Sequence, residues 1–135
     1  MSIKVDGTVV SGLGKGKKFI ALEGYAEQFR TKLGYEPFPG TLNLEVDESV
    51  HEQLVDVEPI RIDAWEDGEQ SFGVVDCYPA TVEGNDTDEA VPLHVIVRRR
   101  TDHDISTLEL ISPVNLREEF DLSDESLFEI RITSQ

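Results

Sequence analysis

The chain has 135 residues and a mass of 15.1 kDa, enough for one domain with a substantial core. Twelve Lys and Arg against 28 Asp and Glu leave a formal charge of −16, which excludes the basic footprint of a nucleic-acid binder. A single cysteine, Cys77, excludes an intramolecular disulfide, and no apolar run approaches the roughly 18 residues a membrane-spanning helix needs. No apolar stretch of signal-peptide length follows the N-terminal residues 1–6, so the expected setting is the cytoplasm. The acidic residues are spread along the chain and only five lysines oppose them. Such a coat repels itself in dilute buffer, whereas in molar salt the Debye length falls to about 3 Å. The composition therefore reads as adaptation to a salt-rich cytoplasm, against the plainer reading of an ordinary acidic protein.

In chain order, residues 3–10 and 18–22 are expected strands, the first ending at Ser11-Gly12. Tyr25, Phe29 and Leu33 then recur every four residues before Gly34, the pattern of an amphipathic helix with a glycine stop. Pro37 and Pro39-Gly40 turn the chain into residues 41–46, where Leu42, Leu44 and Val46 alternate with polar residues. Further strand-like runs cover 60–64, 72–82, 91–97, 107–112 and 127–133, with turn chemistry at 66–69 and 83–86. A short helix is expected over 115–120, after Pro113. Short strands with tight turns and no βαβ alternation predict a mainly β fold, a small barrel with one or two short helices.

Four segments have the residue types for chemistry. In Ser11-Gly12-Leu13-Gly14-Lys15-Gly16-Lys17-Lys18, alternate glycines after a strand can turn backbone N–H groups toward phosphate, and the lysines add positive charge. Lys17 occupies the position where both the dinucleotide fingerprint and a Walker A loop starting at Gly12 require glycine, so a simple flexible hairpin carries equal weight. Thr41 and Asn43, two apart on a strand, leave one face as hard neutral oxygen donors of the kind that suit Mg²⁺ alongside nucleotide phosphates, although Thr and Asn are also common on strand surfaces. Arg98-Arg99-Arg100-Thr101 ends an apolar strand, as a phosphate contact or, more in keeping with its place, a solvated strand end. Glu109 alternates with Leu108 and Leu110 and faces away from the core, onto ordinary surface or a cleft wall. In Ser112-Pro113-Val114-Asn115-Leu116-Arg117, a helix start and a forked cation could hold an anion, or simply make a capped turn. His51, His94 and His103 lack zinc-ligand spacing and read as surface or packing residues. Cys77 reads as a buried hydrophobe.

Together these segments resemble the archaeal CTP-dependent riboflavin kinase family. The resemblance rests on residues 9–16, on Phe29 with Leu33-Gly34-Tyr35-Glu36-Pro37 and Pro39-Gly40-Thr41-Leu42-Asn43-Leu44, and on Thr101, Glu109, Pro113 and Leu116-Arg117-Glu118-Glu119-Phe120. It implies a six-stranded cradle-loop barrel, related to RIFT barrels, over residues 1–135, and the expectation is that the additional N-terminal DNA-binding domain some members carry is not present. It also implies transfer of the γ-phosphate of CTP to the ribityl 5′-hydroxyl of riboflavin, giving FMN and CDP. On the matching positions, Gly12, Leu13, Gly14, Lys15, Gly16 and Lys17 would hold the CTP phosphates. Thr41 and Asn43 would bind Mg²⁺, Thr101 and Glu109 would contact the flavin, and Val114, Asn115, Leu116 and Arg117 would hold the nucleotide. A carboxylate near the acceptor hydroxyl could take its proton, and Glu109 is the candidate. The expected partners are riboflavin and CTP, with no nucleic acid or membrane, and the expected state is a monomer. A non-catalytic barrel that carries or senses flavin or nucleotide would use the same loops and is the alternative.

Overall fold

The computed structural model describes residues 2–10, 22–38, 40–82, 91–98 and 106–133. Six antiparallel strands close into a barrel: β1 (Ser2–Val10), β2 (Leu42–Glu45), β6 (Val75–Val82), β7 (Leu93–Arg98), β8 (Thr107–Ile111) and β9 (Leu127–Thr133). Around the ring the order is β6-β7-β8-β2-β1-β9, and pairing of Ala80 with Ile132 and Val82 with Ile130 returns β9 to β6. A short strand, β3 (Ile60–Ile62), shares that edge of β6 with β9, pairing at Val75 to Cys77. The expected closed, mainly β barrel is therefore what forms.

Period-two alternation fills the interior. Val5 and Val9 of β1, Leu42 and Leu44 of β2, Leu108 and Leu110 of β8, and Ile130 and Ile132 of β9 all point inward and are buried. Two helices close the ends. Helix α2 (Ser49–Leu54) follows β2 and adds Val50 and Leu54 to the interior cluster. Helix α3 (Leu116–Glu119) follows β8 and adds Leu116 from the end where β2 begins.

A second apolar cluster lies outside the ring. Helix α1 (Glu23–Gln28) continues into a π-helical turn, Phe29–Leu33, and lays Tyr25 and Phe29 over Ile62, Val75, Cys77, Ile96 and Ile111. The turn widens where Thr31 Oγ1 donates to the carbonyl of Glu27, four residues back, a bond that competes with the helix ladder. Gly34, the expected stop, ends it with φ 84°. Gln28 pins this helix to the barrel, accepting from the Asp63 N–H at 2.7 Å and donating to the Asp63 carbonyl at 3.0 Å.

Three local features were not written in the sequence pattern. Helix α2 carries apolar residues only at Val50 and Leu54, one i,i+4 pair, too short to show a period, so it stands as a third helix. The run 72–82 breaks at Gly73, whose carbonyl accepts from Tyr25 Oη at 2.6 Å. Before the break, β4 (Trp65–Asp67) and β5 (Gln70–Phe72) form a hairpin around Gly68, at φ 64°, that presses Trp65 against Phe72 with ring centroids 4.3 Å apart. Of the expected strand over 18–22, only Leu22 is among the described residues, and it precedes α1.

The Trp65 indole lies directly on Gly24, where a β-carbon would run into the ring. Gly24→Ala is therefore expected to displace the indole and cost about 1–3 kcal/mol, the usual penalty for overpacking. Urea unfolding and the tryptophan emission maximum check this; unchanged values in both would mean that the hairpin yields freely. Cys77 is fully buried, and its thiol is pushed up to about 12 by burial first and by the neighbouring Asp76 second, as expected of an inert apolar residue.

Candidate functional site

Strand β2 organises the site. Its inward residues Leu42 and Leu44 anchor it in the core, which turns Asn43 to the outer face. The register sets Asn43 directly opposite Glu109 of β8 on one side and Val10 of β1 on the other. Directly opposed residues of an antiparallel pair project from the same face, so the amide and the carboxylate are neighbours. Glu109 is half-buried, with Ile96 of β7 as its other cross-strand partner. Thr41 stands one residue before β2 and follows Gly40, whose φ of 114° is a conformation that side chains beyond glycine rarely adopt.

The 112–117 segment sits beside the start of β2. Ser112 is buried and donates to the Pro92 carbonyl at 2.7 Å. Asn115 caps α3, its Oδ1 accepting from the backbone N–H of Arg117 at 3.1 Å and of Glu118 at 3.4 Å. Arg117 reaches Asp124 at 2.9 Å and the Val10 carbonyl at 3.5 Å. The capped-turn reading of this segment thus holds. It does not exhaust the segment, because Val114 to Arg117 also line a small, open cleft together with Phe38, Gly40 and Thr41.

Of the residues expected to form a site, Thr41, Val114, Asn115, Leu116 and Arg117 share one cleft, while Asn43 and Glu109 stand together on the adjoining face. Gly12, Leu13, Gly14, Lys15, Gly16, Lys17 and Thr101 lie outside the described residues. Val10, the last residue of β1, is nevertheless held from both sides by Asn43 across the ladder and by Arg117. Among the described residues no group of three or more His, Cys, Asp or Glu side chains could hold a metal. The donors at Thr41 and Asn43 are instead two neutral oxygens, a set that fits a hard cation completing its shell with phosphate oxygens.

Behind the cleft stands a clamp that no motif signals. Tyr35 Oη lies 2.8 Å from His94 Nδ1 and 3.4 Å from the Ile111 carbonyl, and the Phe38 N–H donates to the Ser112 carbonyl at 2.7 Å. These bonds lay 35–38 along the end of β8 and deliver the chain to Thr41. His94 is 9% exposed, and burial lowers its pKa from 6.5 to about 4, so it stays neutral at physiological pH. A folded-state pKa below the unfolded one gives stability that is complete above the unfolded value and lost as pH falls through the folded value. His94 is thus expected to account for about 2 kcal/mol of lost stability between pH 7 and pH 4.5. Urea unfolding at both pH values checks this, with His94→Asn as the reference that removes the titration. An equal loss in both proteins would show that other groups carry the acid sensitivity.

The structure is thus a closed six-stranded barrel with a cleft between the start of β2 and the 112–117 segment. Residues 9–132 match the profile of the CTP-dependent riboflavin kinase domain, described as a domain of unknown function, DUF120, and the chain belongs to that family. It is 47% identical over 126 residues to a riboflavin kinase of Haloquadratum walsbyi, covering 90% of this chain and 53% of the relative. Identity to a riboflavin kinase of Halobacterium salinarum is 44% over 129 residues, covering 93% and 55%. A riboflavin kinase of Cenarchaeum symbiosum is 38% identical over 133 residues, covering 96% and 66%. The chain spans about half the length of the first two of these curated relatives. No described helix is long and apolar enough to cross a membrane.

Proposed function

We propose that this chain is a riboflavin kinase that uses CTP, transferring its γ-phosphoryl group to the ribityl 5′-hydroxyl of riboflavin and releasing FMN and CDP. The observation that carries the reading is the convergence on β2. Thr41 shares a cleft with Val114 to Arg117, and Asn43 stands between Glu109 and the last residue before the glycine loop. In this reading Gly12 to Lys17 hold the triphosphate, and Val114 to Arg117 hold the rest of the nucleotide. Thr41 and Asn43 supply oxygen ligands to Mg²⁺, which when bound offsets phosphate charge. Thr101 and Glu109 hold the flavin substrate. Phosphoryl transfer depends on positioning and charge neutralisation more than on covalent chemistry by the protein, and these residue types provide both.

The hydroxyl oxygen forms the new bond to γ-phosphorus while the bond from γ-phosphorus to the β,γ-bridging oxygen breaks, and CDP departs with that electron pair. Glu109 takes the hydroxyl proton. The protein acts as a monomer on these two small molecules, in a cytoplasm rich in salt.

Chromatography of riboflavin incubated with Mg²⁺ and, in parallel, CTP, ATP, GTP or UTP in high KCl tests the reading. FMN and CDP in equal amounts, with CTP preferred, is the expected result. Preference for another nucleotide would overturn the donor assignment, and binding without any FMN would leave a non-catalytic carrier.

A further inference from the structure

Among the described residues, the large apolar side chains left exposed are Phe38, Val55 and Leu127. Of these, only Phe38 lines the cleft. Phe38 is 41% exposed and is not part of either apolar cluster. Its backbone is anchored to the barrel by one hydrogen bond. Pro37 before it is buried, its own N–H is bonded to Ser112, and Gly40 two residues on turns the chain into Thr41. An exposed aromatic side chain in the lining of a cleft, with Val114 and Leu116 beside it there, can offer a face to a planar ring.

We infer that Phe38 is the stacking face for the nucleobase of the phosphoryl donor, an inference that rests on the kinase reading above. Two planar rings enter that reaction, the donor's base and the flavin. Phe38 shares its cleft with Thr41, proposed as a ligand of the metal that meets the phosphates, and with Val114 to Arg117. Glu109, proposed to meet the acceptor hydroxyl, stands outside that lining. One molecule that reaches both the metal ligand and the aromatic face is the nucleotide. Stacking on an aromatic side chain is tolerant of base identity, so Phe38 contributes affinity, and the choice of base falls to hydrogen-bonding groups around it.

The test compares wild type with Phe38→Ala, Phe38→Leu and Phe38→Trp. Each is titrated calorimetrically with CDP and, separately, with inorganic triphosphate, both in the presence of Mg²⁺, and KM is measured for CTP and for riboflavin. Phe38→Ala is expected to weaken CDP binding about tenfold to a hundredfold. Phe38→Leu should weaken it nearly as much and Phe38→Trp should restore it. Inorganic triphosphate, which has no ring, should bind all four proteins alike, and KM for riboflavin should not move. Equal CDP affinity in wild type and Phe38→Ala would overturn the inference. So would full retention by Phe38→Leu, which would mean that apolar area alone suffices, or a rise confined to KM for riboflavin, which would assign the face to the flavin. FMN formation by the wild type separates the two claims. Turnover with an indifferent Phe38 removes the stacking role alone, whereas a ring-dependent loss of CDP binding without turnover removes the kinase reading alone.

Discussion

Glu109→Gln is expected to lower kcat about a hundredfold or more while leaving KM for CTP nearly unchanged. The substitution keeps the shape and the hydrogen-bonding capacity of the side chain but removes its ability to take a proton. Position makes the expectation specific. Glu109 sits in the middle of β8, fixed by pairing to Ile96 and Asn43, and does not line the cleft assigned to the nucleotide. A group held on a paired strand is aimed more accurately than one on a loop, and accurate aim is what general-base catalysis requires. The measurement is initial-rate kinetics with riboflavin and CTP both saturating, accompanied by thermal unfolding to show an intact barrel. An unchanged kcat would mean that the proton goes elsewhere and that Glu109 only binds.

The second large effect is expected at the proposed metal ligands. Thr41→Val and Asn43→Leu each replace an oxygen donor by an apolar group of similar size. Each should raise the Mg²⁺ concentration needed for half-maximal turnover about tenfold or more, and the double variant further still. Both residues are half-buried at the lip of the barrel rather than in its core, so the fold should tolerate the change. The check is a Mg²⁺ titration of FMN formation for each variant, with Mn²⁺ binding followed by electron paramagnetic resonance as a readout independent of turnover. Unaltered metal dependence in both single variants would place the metal on other residues.

The barrel was legible because its strands alternate cleanly. Leu42, Leu44 and Val46 announce a half-buried strand, and the same pattern in β1 and β9 defines an interior. The helix from Tyr25 to Leu33 was legible from its four-residue spacing, although the wide turn begun at Phe29 depends on a side-chain bond that no periodicity contains. Candidate residues could be chosen by type, but their company could not. That Glu109 faces Asn43 is a matter of register, set by how the 65 intervening residues loop out between them, and composition does not report it. Tyr35 and His94 are further still from legibility. Each has an unremarkable polar side chain in sequence, and only the path of 35–38 across the end of β8 makes them partners. Phe38 escaped notice because an aromatic next to prolines reads as turn filler until its exposure beside a cleft is seen.

The double pairing of β9 has a consequence for how the protein is made. This strand lies against β1 from Thr133 opposite Ser2 to Leu127 opposite Thr8, and against β6 through Ile132 and Ile130. A nascent chain still lacking residues 127–133 has no way to join β1 to β6, and both strands present open edges to whatever surrounds the ribosome. All of residues 2–133 must therefore have emerged before the ring can shut, and closure is paced by contacts between distant parts of the chain. Until β9 is in place, β1 and β6 remain exposed to aggregation through those edges.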